Sequence, residues 1–381
     1  MAHPRRARRP NPALTAASRG LSAVRLLAGA LLFVPLLALP VYVNYYVDCQ
    51  GYFLGDSKLR TIANALFEGY AVVGYDQMNG RDREVLDVIV ANMDEDTTPE
   101  TIALGSSRVM QITRDLVGTS FYNSATTGGD FYDLLTSFYV YDKRGKLPKN
   151  VIIGVDPWLF NTDPDAQDKR SNRTLYAEFL SEKLGIPTAY EKEDARKSWQ
   201  FLYDLSYFQG NLEFLLEGTP VENALEVIPE SEVYRQAGEV KRSDGSLVYT
   251  PDFRARTQEE IDTDALIQTG AMFRLEGYHA PDPGRLEIFE NWVQYMQDEG
   301  IKVYFFLSPY PPIVYDHAAA NAERYGGFFG AEEAVRTMAR KYGIRVFGSY
   351  DPHTIPAEGS DFYDGLHPRG ECIARFFPGV A

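Results

Sequence analysis

The chain has 381 residues, 45% of them apolar and 13% aromatic, which is enough for one large core or two small ones. Its formal net charge is −15, and six of its 38 basic residues are arginines within residues 1–25, leaving 32 against 53 acidic residues beyond them. A body near −21 argues against nucleic acid as a partner, because phosphate recognition needs positive potential. Two cysteines, Cys49 and Cys372, are too few for a disulfide framework or a thiolate metal cluster.

Residues 1–25 form a basic arm with no Asp or Glu. The run Leu26–Val47 that follows carries no charge. At about 1.5 Å per residue it reaches ~33 Å, enough to cross a hydrocarbon layer of ~30 Å as a helix. Tyr42, Tyr45 and Tyr46 stand at its far end, where an aromatic belt would lie, and the arginines should keep the N-terminus cytoplasmic. The run is long for a signal-peptide core and no clear A-x-A site follows it, so a retained single-pass anchor with an extracytoplasmic main domain is expected.

Residues 48–98 read as a membrane-proximal segment containing one helix, DREVLDVIVANM. From residue 99 to 381 short apolar runs alternate with helical patterns. TIALGSSRVMQI reads as a buried strand, a tight turn and a helix start. NVIIGVDPWLF at 150–160, IKVYFFLSPYPP at 301–312 and GIRVFGSY at 343–350 repeat the strand-then-loop design. Helical patterns at 285–300 and 331–343 precede the last two, each ending at a glycine suited to a helix C-cap. Such alternation predicts an α/β domain, a central parallel sheet covered by helices. Residues 162–284 read as a helical insertion over that sheet, serving as a lid or partner surface.

In parallel sheets of this kind the ligand crevice lies at the carboxyl ends of the strands. Gly105-Ser106-Ser107-Arg108 follows a predicted strand directly. Ser107 would stand at a helix start, where backbone N–H groups favour the anion that a serine nucleophile generates, although both serines would serve equally as caps. Near the C-terminus, Asp364 and His367 are three residues apart and followed by Pro368. In one turn the carboxylate can orient the ring while its other nitrogen faces a serine. His279, His317 and His353 lack metal-ligand spacing, so neither metal nor cofactor is expected.

Together these residues resemble the SGNH/GDSL hydrolase superfamily. Its first block, G-D-S, corresponds to Gly105-Ser106-Ser107, and its last, D-x-x-H-P, to Asp364, His367 and Pro368. The second block is matched by Asn123-Ser124-Ala125-Thr126-Thr127-Gly128-Gly129, with Asn123 in the binding region and either Gly128 or Gly129 in the oxyanion hole. The third, G-x-N, departs: it reads Gly154-Val155-Asp156, and an ionised Asp cannot donate the hydrogen bond that an Asn would.

The wording of GSSR, YNSATTGG and PKNVIIGVDPWLFN is similar to membrane-anchored envelope proteins related to those of teichoic-acid D-alanylation and alginate O-acetylation. That resemblance implies a three-layer, flavodoxin-like sandwich and a serine acyl-esterase or O-acyltransferase acting on a cell-surface polysaccharide, beside a membrane-bound O-acyltransferase. The alternative it leaves open is a non-catalytic accessory protein that binds the polysaccharide or the acyltransferase.

Overall fold

The structure is a computed structural model that describes residues 29, 38–48, 53, 55–78, 81–168, 170–188, 198–216 and 225–377. Among the described residues no helix is long and apolar enough to cross a membrane. The basic arm, Cys49 and most of the run Leu26–Val47 lie outside them; of that run only Gly29 and residues 38–47 are described.

The chain divides into two compact units, Met1–Asp56 with Asp194–Pro220, and Ser57–Glu193 with Val221–Ala381. This differs from the expected boundary at residue 98, and it splits the expected insertion 162–284 between the units. Strand pairing gives the reason. β1 (Tyr70–Val73) pairs antiparallel with β5 (Glu226–Pro229) and β6 (Val240–Lys241), so residues before 98 and after 225 share one sheet. With β7 (Leu247–Val248) that sheet runs in the order β5-β1-β6-β7.

The main sheet of the second unit has five parallel strands in the order β3-β2-β4-β8-β9. They are β2 (Thr101–Leu104), β3 (Phe121–Asn123), β4 (Asn150–Gly154), β8 (Lys302–Leu307) and β9 (Arg345–Gly348). β2 is buried at every position, and Val151, Ile152 and Ile153 of β4 have no exposure. Continuous apolar runs of this kind belong to strands covered on both faces.

The helices that pack on the sheet carry legible caps. Pro283–Asp298 starts with Asp282 accepting from Arg285 N at 2.8 Å and Pro283 in the first turn, where its missing N–H costs nothing. Its buried side chains Phe289, Trp292, Val293 and Met296 follow the helical repeat and pack on β8. Each such burial stabilises the fold by roughly 1.5–3 kcal/mol. Phe131–Asp142 carries a capping box from Asp130 and Asp133 and packs on β2. Gly326–Tyr342 packs on β9 and ends at Gly343 in the left-handed conformation, φ +65°.

In the first unit, the helix over residues 38–46 buries Asn44, whose amide donates to the carbonyls of Phe201, Leu202 and Asp204 at 2.8, 3.1 and 3.1 Å and accepts from Asn211 at 3.1 Å. Tyr207, in the helix Leu205–Leu216, donates to Asp48 at 2.6 Å. Leu39, Tyr42, Tyr46, Tyr203, Leu205 and Leu216 remain exposed.

Candidate active site

The ends of the parallel strands converge on one cleft of about 310 Å³, lined in part by Ser107, Gly128, Trp158, Glu239, Tyr249 and His367. β2 delivers Ser107 through a sharp turn. Gly105 has φ +151°, and a Cβ there would meet Val109 at 2.8 Å and the Gly154 backbone at 3.3 Å, so only glycine lets the ends of β2 and β4 approach this closely. Ser106 then caps the short 3-10 turn Ser107–Val109, its hydroxyl accepting from Arg108 N at 3.2 Å, and its neighbour Ser107 is left half-buried at the cleft.

Ser107 Oγ lies 2.9 Å from His367 Nε2 across 260 residues of sequence. On the other side of the ring, His367 Nδ1 lies 2.9 and 3.1 Å from the two oxygens of Asp364. Asp364 Oδ1 also accepts from the backbone N–H groups of Leu366 and His367, each at 2.7 Å. Burial alone would raise the Asp364 carboxyl, but the neighbouring imidazole and these hydrogen bonds hold it below its ordinary value. An ionised Asp364 can only accept, which places the proton on Nδ1 and leaves Nε2 to accept from the Ser107 hydroxyl. The turn is braced by Tyr363 N–H donating to His367 O at 2.8 Å and Arg369 Nε donating to Phe362 O at 2.8 Å.

The two candidate glycines separate. Gly129 N–H donates to Thr126 O at 3.0 Å and its carbonyl accepts from Trp158 Nε1 at 3.1 Å, so its amide is already committed. Gly128 lines the cleft with φ +64°, and among the described residues no hydrogen bond occupies its N–H or that of Ser107. The peptide that carries this N–H is gripped from behind. Thr127 O, which points opposite to Gly128 N–H across a trans peptide, accepts from Arg170 Nη2 at 3.1 Å. Thr127 N–H donates to Asp82 at 2.9 Å, and Gly128 O accepts from Arg274 Nη1 at 2.7 Å. Asp168 joins the two arginines, 2.7 Å from Arg170 Nη2 and 3.5 Å from Arg274 Nη2. Burial would raise its carboxyl, but Arg170 and Arg83 hold it down to about 2.

Two expected binding residues stand elsewhere. Asn123 is buried, its amide donating to Val109 O at 2.8 Å and Ile112 O at 2.9 Å while its Oδ1 accepts from Ala125 N at 3.0 Å. It locks the Ser107 turn to the end of β3 and has no donor left for substrate, which corrects the expected binding role. Asp156 is also buried, and its Oδ1 pairs with Arg108 Nη1 at 2.9 Å. Arg108, 1% exposed, further donates to Ser308 O, Pro309 O and Leu366 O at 2.8, 2.7 and 3.2 Å, and its guanidinium lies 3.9 Å from the Tyr310 ring centre. It thereby ties together the ends of β2, β4 and β8 and the His367 turn. Burial pushes the Asp156 carboxyl up, against the opposing pull of Arg108, Ser106 and His367. The Asp at this position is thus the counter-ion of a buried arginine, outside the cleft lining.

Sequence reasoning missed Arg108, Arg170, Arg274 and Glu239. An arginine between the serines of a turn and an apolar stretch (GSSRVM), with an Asp just after another strand, was the available signal for the first; the others had none. Among the described residues no cluster of His, Cys, Asp or Glu could hold a metal ion. No protein-family model matches the chain and no curated protein matches it, so the geometry carries the functional reading.

Proposed function

We propose that the protein is a membrane-anchored, outward-facing serine acyl-ester enzyme of SGNH type, its α/β unit a three-layer sandwich of that superfamily, acting on a cell-envelope polysaccharide. The observation that carries the catalytic reading is the continuous relay Asp364–His367–Ser107, with hydrogen-bond distances of 2.9 Å on both sides of the imidazole. As His367 Nε2 takes the Ser107 proton, Oγ attacks the ester carbonyl carbon, and the oxyanion is held by the N–H groups of Ser107 and Gly128. His367 returns the proton to the departing alcohol, leaving an acyl-serine. A second hydroxyl, from water or from a sugar, then gives its proton to His367 and attacks the acyl carbon, regenerating Ser107. Water makes the enzyme an esterase; a sugar hydroxyl makes it an O-acyltransferase, with a membrane-bound O-acyltransferase as the source of acyl groups.

Support for the membrane reading comes from the uncharged run Leu26–Val47 and from the exposed Leu39, Tyr42 and Tyr46 in its described part, a composition suited to a bilayer interface. One observation favours the accessory reading: Asp156, at the place of the third block's Asn, is sequestered by Arg108 and lies outside the cleft lining. Hydrolysis of aryl acetates separates the two. The enzyme reading expects turnover that falls by roughly 10³-fold or more in Ser107→Ala and Asp364→Asn, the second because the wrong tautomer of His367 is then stabilised. A well-folded wild type without turnover, alone and with a sugar acceptor, favours the accessory role.

A further inference from the structure

Glu239 has no part in the relay, yet it lies in the wall of the same cleft as Ser107 and His367. It is 8% exposed, and its Oε1 is buried without a hydrogen-bond partner. Nearly all buried polar atoms in folded proteins are paired, so an unpaired carboxylate oxygen at a cleft points to a group that arrives with the ligand. The backbone that carries it is fixed just before β6, where the Glu239 carbonyl accepts from Gly74 N at 2.8 Å and Tyr75 N at 3.2 Å. Lys241, two residues on, pulls the carboxyl down through space without bonding it; its Nζ lies over the Tyr75 ring at 5.2 Å. The walls around Glu239 are apolar, from Trp158, Leu247, Tyr249 and Phe273. Asp76 and Asp82 add negative potential that Lys241 and His367 oppose, and it is the unpaired oxygen that favours a ligand group able to donate.

We propose that Glu239 is the recognition carboxylate of the cleft, accepting a hydrogen bond from an O–H or N–H donor on the substrate beside the ester that Ser107 attacks. The cleft would then select esters whose apolar part fills the aromatic walls and whose hydroxyl or ammonium reaches Glu239. Only the position of the ester rests on the serine reading; the donor preference does not.

The test uses the full chain carrying Ser107→Ala, so that ligands bind without turnover. Dissociation constants are measured for a matched set of aryl-bearing esters with no donor, a hydroxyl or an ammonium on the carbon next to the ester, on either side of it. The expected result is that one donor-bearing member binds on the order of tenfold tighter than its donor-free match, and that Glu239→Met abolishes this ratio. Glu239→Gln tells the donors apart, since a hydroxyl preference survives it and an ammonium preference does not. Infrared difference spectra of the Ser107→Ala protein give a second reading that does not depend on the Met variant folding. The carboxyl band assigned with Glu239→Gln shifts with the donor-bearing ligand and not with its match. No donor preference, a preference unchanged in Glu239→Met, or a band that does not move overturns the proposal. A donor preference in a protein whose wild type neither turns over esters nor labels at Ser107 would sink the enzyme reading and leave this one standing.

Discussion

Asp156→Asn isolates the buried pair that replaces the expected Asn. The substitution keeps the side-chain shape and removes the anion 2.9 Å from Arg108 Nη1. Removing one member of a buried ion pair costs about 3–5 kcal/mol, because the other charge is left uncompensated. Here Arg108 keeps three backbone carbonyls and the Tyr310 face, and the native state already disfavours a charged Asp156. Both features place the expected loss at the lower end, about 3 kcal/mol. For a unit of this size a kcal/mol moves Tm by roughly 1.5–2 °C, so calorimetry at neutral pH should show a fall of about 5 °C. Activity should drop only as far as the His367 turn shifts, since Arg108 Nε holds Leu366 O one residue before it. A displacement of ~1 Å corresponds to about a hundredfold in kcat/KM. A variant as stable as wild type but inactive would refute this reasoning and put Asp156 in the chemistry.

Arg170→Met removes the grip on Thr127 O that aims Gly128 N–H into the cleft. Steady-state kinetics on an aryl ester should show kcat lower by about tenfold to a hundredfold, less than the loss of an oxyanion donor itself, with KM within about twofold; a change confined to KM would contradict the positioning role. Glu239→Gln should change how stability depends on pH. Burial, with Asp76 and Asp82 and against the pull of Lys241 and His367, pushes the Glu239 carboxyl up to about 7, so the native state favours its protonated form. That contribution is complete below the ordinary carboxyl range and is lost as pH rises through about 7. The Tm of Glu239→Gln should therefore gain on wild type between about pH 4.5 and 7, by at most roughly 3 kcal/mol in stability. A difference that stays flat across that window would show that Glu239 ionises in the fold as freely as in the unfolded chain.

The parts of the fold legible in the sequence were those where one local pattern suffices. β2, β4, β8 and β9 announced themselves as apolar runs ending in Gly, Ser or Pro, and β2 and β4 show why: strands covered on both faces need no alternation. The Ser107, Asp364 and His367 set was legible because the Asp–His half lies within a single turn and the serine follows a strand directly. What escaped was whatever depends on pairing between distant segments. β6 and β7 are two residues each and β3 is three, too short for a period, and the antiparallel sheet exists only because residues 70–73 meet 226–229. Glu239 escaped for the same reason: it sits in a stretch that reads as polar surface, and the sheet folds it into the cleft wall. Asn123 was misread because an amide beside a glycine-rich turn looks the same whether it faces substrate or ties down the turn; only its three partners decide.

The most direct test of the enzyme reading is labelling of the full chain with a fluorophosphonate probe, followed by mapping of the modified peptide. Stoichiometric modification at Ser107, abolished in Ser107→Ala and in His367→Ala, is the result the relay predicts. A folded wild type that stays unlabelled, or is labelled at another residue with Ser107→Ala reacting equally well, would contradict it.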